Sequence, residues 1–237
     1  MKGRLRRVKG LRILKKLSSS GPGFLTLQRF LARNLYQSGQ VSRPYRFEVV
    51  HRRGLDAVAI IPFFFQTSHA GGGRSRQRLM VVLKVGFRPG LHLRSKMRPP
   101  LRDRRRYNFV LEAVAGSLES ADRGSRGIDI RARTELLEET GLRVRAGRLI
   151  RIGSGFFPSH GQSTEKVHLR AFEVDPGPAL PPTGDGSVNE SDSGTLVMEA
   201  GRLLAACRKG TIEDPKLEIG VSRLCRLLGY RTNHLRP

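Results

Sequence analysis

The segment Arg131 to Gly141, R-A-R-T-E-L-L-E-E-T-G, constrains the fold more than any other stretch of this 237-residue chain. Glu135, Glu138 and Glu139 stand at i, i+3 and i+4, so an α-helix puts all three carboxylates on one face. Three like charges there oppose an isolated helix. Either solvent must screen them, or a hard cation that prefers oxygen ligands must sit among them. The helix is otherwise well specified. Asp129 is placed to cap its N-terminus, Ala132 and Leu136 can face a core with Leu137 beside them, and Gly141 suits the left-handed position that ends a helix. The spacing predicts a helix over 129–140.

The rest of the chain reads as strands and helices around it. Apolar runs and alternation predict strands near 45–51, 56–65, 79–88, 108–115, 144–153, 165–174 and 194–198. Helices are predicted at 200–209 and 215–228. The longest apolar run, Ala57 to Phe65, suits a buried strand and is too short to span a membrane. Phe24, Leu27, Phe30, Leu31 and Leu35 follow helical spacing, which predicts a short amphipathic helix within 24–44, packed on the domain or on a partner. Gly71 to Arg78 reads as a hairpin loop, Gly90 to Arg106 as a long basic loop, and 176–186, rich in Pro and Gly, as a surface connection able to act as a lid.

The acidic helix resembles that of the Nudix hydrolase signature, G-x5-E-x7-R-E-U-x-E-E-x-G-U with U apolar. The matching residues are Glu135, Leu136, Glu138, Glu139, Gly141 and Leu142. Upstream, Glu112 to Glu119 resembles the E-x-P-A-G-x-x-E strand and loop of the ADP-ribose and ADP-sugar pyrophosphatase branch, with Val114 in place of its Pro. Gly116 then serves as the first glycine and Asp122 as the first acidic position. Thr134 replaces the motif's Arg, with Arg133 one place earlier, and four extra residues lie within Arg123 to Ile128. Further segments match in order: Tyr45 to Val50, Asp56 to Pro62, Leu79 to Pro89, Phe157 to Gly161, Thr164 to Leu169 and Gly210 to Lys216. The likeness spans roughly residues 24 to 230.

The resemblance implies an α/β fold, a Nudix-type α/β/α sandwich with a mixed β-sheet, preceded by a basic N-terminal extension. It divides the chain into a basic leader (1–23), the 24–44 segment, a Nudix domain (45–230) and a tail (231–237). It implies Mg²⁺ or Mn²⁺ held by Glu119, Glu135, Glu138, Glu139 and the Ala115 carbonyl. It implies substrate contacts from Arg88, Glu112, Ser159, Gly161 and Glu165, and a general base at Glu190, with Glu165 second. The expected reaction is hydrolysis of the pyrophosphate bond of a nucleoside diphosphate sugar, with ADP-ribose giving AMP and ribose 5-phosphate. Members of that branch are usually homodimers joined through N-terminal strands, so a homodimer is expected. Alternatives are another dinucleotide such as NADH, a cap-like diphosphate, or a binding module without strong turnover, recruited to RNA or membrane.

Charge is unevenly spread. The net +24 comes almost wholly from residues 1–47, with 12 Lys and Arg and no acid, and 74–106, with 12 against Asp103 alone. The leader could bind nucleic acid or anionic membrane, resembles an organelle transit peptide in being Arg-rich and acid-free, or is a flexible solvated tail. The second basic segment, near the expected substrate entrance, would attract a dianionic diphosphate or meet a polyanion. No zinc-finger spacing or RNA-recognition signature is present. Cys207 and Cys225 are too few for a disulfide framework and read as buried thiols of a reducing, cytoplasmic compartment. A secretory signal is not evident in the sequence.

Overall fold

Along Ala57 to Phe63 the side chains alternate between two cores. Ala57, Ala59, Ile61 and Phe63 enter one, and Val58 and Ile60 enter the other. A strand buried on both faces needs cover on both sides, and this requirement sets the layering. The computed structural model describes residues 8–19, 23–52, 54–69, 75–103, 105–177 and 194–232. The chain divides into two units, Met1–Asp56 with Phe157–Lys166, and Ala57–Phe156 with Val167–Pro237.

In the second unit, β4 (Ala57–His69) lies near the middle of a seven-stranded mixed sheet. Its neighbours are β5 (Ser75–Gly86), antiparallel, and β9 (Val167–Val174), parallel. Outside these lie β10 (Gly194–Glu199) and β8 (Val144–Arg151). Two short strands, β6 (Val110–Glu112) and β7 (Val114–Ser117), pair with β5 and β4. One sheet face packs on helix α2 (Gly124–Thr140) through Ala132 and Leu136. The other packs on α3 (Ala200–Arg208) and α4 (Pro215–Leu227) through Leu203, Leu217, Val221 and Leu224. A mixed sheet between helices is therefore present, and the predicted strands and C-terminal helices match the observed ones within a few residues. A short helix, α1 (Pro89–Arg94), starts the segment read as a basic loop, and β5 begins inside the stretch read as a hairpin loop. No described helix is long and apolar enough to cross a membrane.

Helix α2 starts five residues earlier than its spacing suggests, because the extra residues before Asp129 extend the helix instead of forming a loop. Asp129 is therefore no cap. It accepts hydrogen bonds from Arg170 Nε at 2.5 Å and Arg151 Nη2 at 2.7 Å. Leu137 is exposed, while Gly141 ends the helix at φ 66°, its N–H bonded to the Leu137 carbonyl. Burial pushes the Asp129 carboxyl up, but the hydrogen bonds and charges of Arg151 and Arg170 outweigh it and hold it below the usual range. A depressed carboxylate contributes stability above its unfolded value, about 3.9, and loses it as pH falls through the lower folded value. Asp129→Asn is expected to lower the urea midpoint at pH 7 and to flatten its decline between about pH 5 and pH 2. Parallel curves for variant and wild type would contradict this ion pairing.

The first unit corrects two expectations. Residues 8–19, inside the leader read as flexible, form β1 (Val8–Ser19), and the predicted helix is a strand, β2 (Leu25–Tyr36). With β3 (Tyr45–Arg52) they make an antiparallel sheet in the order β1-β2-β3. β2 is bonded along both edges, and Phe30 stacks on its cross-strand partner Phe47 with ring centroids 5.1 Å apart. Two ladders and a cross-strand aromatic pair outweigh a helical spacing of apolar residues. Residues 157–166 join this unit, where Val50 N–H donates to the Gln162 carbonyl at 2.7 Å.

Candidate functional site

The site in the second unit is built where α2 crosses β7. Val114 of β7 points into the core beneath α2, and Gly116, two residues on, faces the same helix. A Cβ at position 116 would lie 1.9 Å from Glu135 Cδ, so the carboxylate of Glu135 rests directly on this glycine. One turn along, Glu139 Oε2 accepts a hydrogen bond from Ala115 N–H at 3.2 Å. Two carboxylates four residues apart thus converge on two adjacent residues of the neighbouring strand. Glu138 is half-buried on the same helix.

Two cations that the motif reading missed hold this cluster. Lys84, on the α2 side of β5 beyond Val82, is buried and ion-paired with Glu139. Arg131 is the second. Its Nε bonds Asp122 at 2.9 Å, its Nη2 reaches Glu119 at 3.3 Å, and its Nη1 lies 3.9 Å from Glu135. Arg131 stands one turn before Glu135 and brings a guanidinium to it from the preceding turn. Burial pulls the Arg131 guanidinium down, but the Asp122 hydrogen bond and the charges of Glu119 and Glu135 reverse this and hold it above its ordinary value. Both residues left a trace in the sequence. Lys84 is a lone charge in the apolar run 79–85, and Arg131 sits four before Glu135.

Beside this cluster lies a second one. Glu112 of β6 pairs across the ladder with Lys84, and its buried carboxylate accepts from Arg88 Nε at 2.8 and 3.1 Å. Lys216 Nζ approaches Glu112 at 4.0 Å and Asp214 at 3.2 Å. Asp214, not anticipated, is buried. It caps α4 by accepting from Lys216 N–H and ties that helix to the β6–β7 junction through Ala113 N–H at 2.7 Å. A cleft of about 310 Å³ opens here, with Arg88, Glu112 and Lys216 on its polar side and Leu91, Tyr107 and Leu111 on its apolar side.

Ser159, Gly161 and Glu165 belong to the first unit. There the Ser159 carbonyl accepts from Gln162 and Ser163 N–H, Gly161 is exposed, and Glu165 pairs with Arg52 at 3.3 Å. Glu190 and most of the proposed lid lie outside the described residues. Cys207 and Cys225 are buried free thiols, each pushed up to about 11, mainly by burial.

Among the described residues, no three His, Cys, Asp or Glu side chains form a ready-made metal cage. The donors gathered around Gly116 are all hard oxygens, with Arg131 and Lys84 supplying the compensating positive charge. Their chemistry fits Mg²⁺ or Mn²⁺ and not a metal that prefers sulfur or imidazole. No family model matches the chain, and no curated protein matches it.

Proposed function

We propose that the chain is a Nudix-type hydrolase that cleaves the pyrophosphate bond of a nucleoside diphosphate sugar, most directly ADP-ribose. The observation that carries this reading is the convergence of Glu135 and Glu139 on the adjacent residues Gly116 and Ala115 of β7. In this proposal Glu119, Glu135, Glu138 and the Ala115 carbonyl hold Mg²⁺ or Mn²⁺. Glu139 adds an oxygen when Lys84 yields it. The ion, when bound, neutralises phosphate charge and lowers the pKa of the attacking water.

The chain's own residues do the rest. Gly116 leaves space for the Glu135 carboxylate. Arg131 ties Asp122 to α2 and keeps Glu135 oriented. Glu112 grips Arg88, whose half-exposed guanidinium is placed to meet a phosphate or the terminal ribose. The cleft beside them supplies apolar walls for the ring and charged groups for the phosphates. The proposal includes a homodimer formed through the N-terminal strands, where Phe24 and Leu25 are exposed apolar side chains.

A second reading, a Nudix-fold binding module without turnover, draws support from one observation: Lys84 already occupies Glu139. Hydrolysis of a nucleoside diphosphate sugar panel with Mg²⁺ or Mn²⁺ separates the two. The enzyme reading expects AMP and ribose 5-phosphate from ADP-ribose, abolished by EDTA and lowered about 100-fold or more in Glu135→Gln. Folded protein that turns over no member of the panel would favour the binding module.

A further inference from the structure

The three most exposed large apolar side chains among the described residues all lie in one excursion of the chain. They are Leu101 at 82%, Met97 at 65% and Phe109 at 61%, between β5 and β6. The same excursion, residues 88–109, holds eight Lys and Arg against the single acid Asp103. Its frame is fixed. Arg88 is anchored on Glu112, and Arg105 on Glu213 at 2.7 Å and on the Thr211 carbonyl at 2.6 Å. Across the excursion, His92 Nδ1 meets Asn108 Oδ1 at 3.2 Å, and Arg94 Nε bonds Asp103 at 2.9 Å. Residues 95–102 lie beyond this last clamp and form a tip stiffened by Pro99 and Pro100, with Met97 and Leu101 on either side of the prolines. A polar groove of about 940 Å³ lies along it, with Lys96, Arg102 and Arg106 among its cations.

We propose that this tip is an anionic-membrane contact. Met97 and Leu101 enter the headgroup–acyl boundary, while the cations of the groove hold lipid phosphates. The pairing of chemistries argues for this occupant. Cations alone would suit any polyanion. An exposed Leu and Met at a rigid tip gain from an apolar boundary, and they offer no flat face on which a nucleobase stacks. The contact is separate from the N-terminal leader and does not depend on the hydrolytic reading.

The chain has no Trp, so Leu101→Trp places a single reporter at the tip of the full-length protein. Vesicles of phosphatidylcholine with about a third phosphatidylserine are expected to shift its emission to the blue. Brominated acyl chains should quench it, and vesicles of phosphatidylcholine alone should do neither. Leu227→Trp, exposed on α4, is expected to stay unshifted. Met97→Ser with Leu101→Ser, which keeps every cation, is expected to lower vesicle co-sedimentation at least tenfold. Three results would overturn the proposal: an unshifted Leu101→Trp, undiminished binding by the double Ser variant, or a preference for single-stranded RNA over vesicles that the double Ser variant retains.

Discussion

Lys84→Met is expected to destabilise the protein by about 3–5 kcal/mol, a fall in Tm on the order of 10 °C. The reason is the partner it abandons. Glu139 is buried, and its Oε1 faces the Lys84 ammonium while Oε2 accepts from Ala115 N–H. Removing the ammonium takes the Lys84 countercharge away from a carboxylate buried between α2 and the sheet. The double variant Lys84→Met with Glu139→Gln removes both charges and should recover much of the loss, because a buried pair replaced as a unit costs far less than one broken. Mg²⁺ should raise the Tm of Lys84→Met more than that of the wild type, since the divalent ion then finds Glu139 unclaimed by the ammonium. Equal thermal stability of Lys84→Met and wild type would contradict the buried pair.

Gly116→Ala separates catalysis from stability. The new methyl would sit 1.9 Å from Glu135 Cδ and 2.4 Å from its Cγ, so the Glu135 side chain must move away. A glutamate end can swing at little cost to the fold, and the Tm should change by only a few degrees. The displaced carboxylate can no longer rest on Gly116 beside Glu139, which is bonded to Ala115 N–H. A misplacement on the order of 1 Å lowers rates about 100-fold, so kcat/KM for ADP-ribose should fall by about that factor. Gly90→Ala, where an added methyl meets nothing within 4 Å, is the matched control and should leave turnover unchanged. Full activity in Gly116→Ala would remove Glu135 from the reaction.

The sequence was most legible where burial is two-sided. The run Ala57 to Phe63 could only be a core strand, and its alternate residues do divide between the two cores. Gly141 and the Ala132–Leu136 pair fixed the end and the inner face of α2. Its start was hidden, because Gly124 to Ile128 has no capping side chain and reads as loop. The strand β2 was misread as a helix because apolar spacing carries no information about the two ladders that flank it. At the site the glutamates were visible as a spacing, but the cations that hold them were not assigned. Lys84 is 55 residues from Glu139, and only the fold brings them together. Arg131 was within reach of sequence reasoning, because an arginine four residues before Glu135 faces it on the same side of a helix.

Mn²⁺ titration followed by electron paramagnetic resonance reads out whether the α2 carboxylates hold a divalent ion. Mn²⁺ is expected to bind the wild type, to be displaced by excess Mg²⁺, and to bind Glu135→Gln at least about tenfold more weakly. Folded wild-type protein that binds no Mn²⁺, or a Glu135→Gln variant that binds it as tightly, would contradict this and leave the glutamates of α2 to their ion pairs with Lys84 and Arg131.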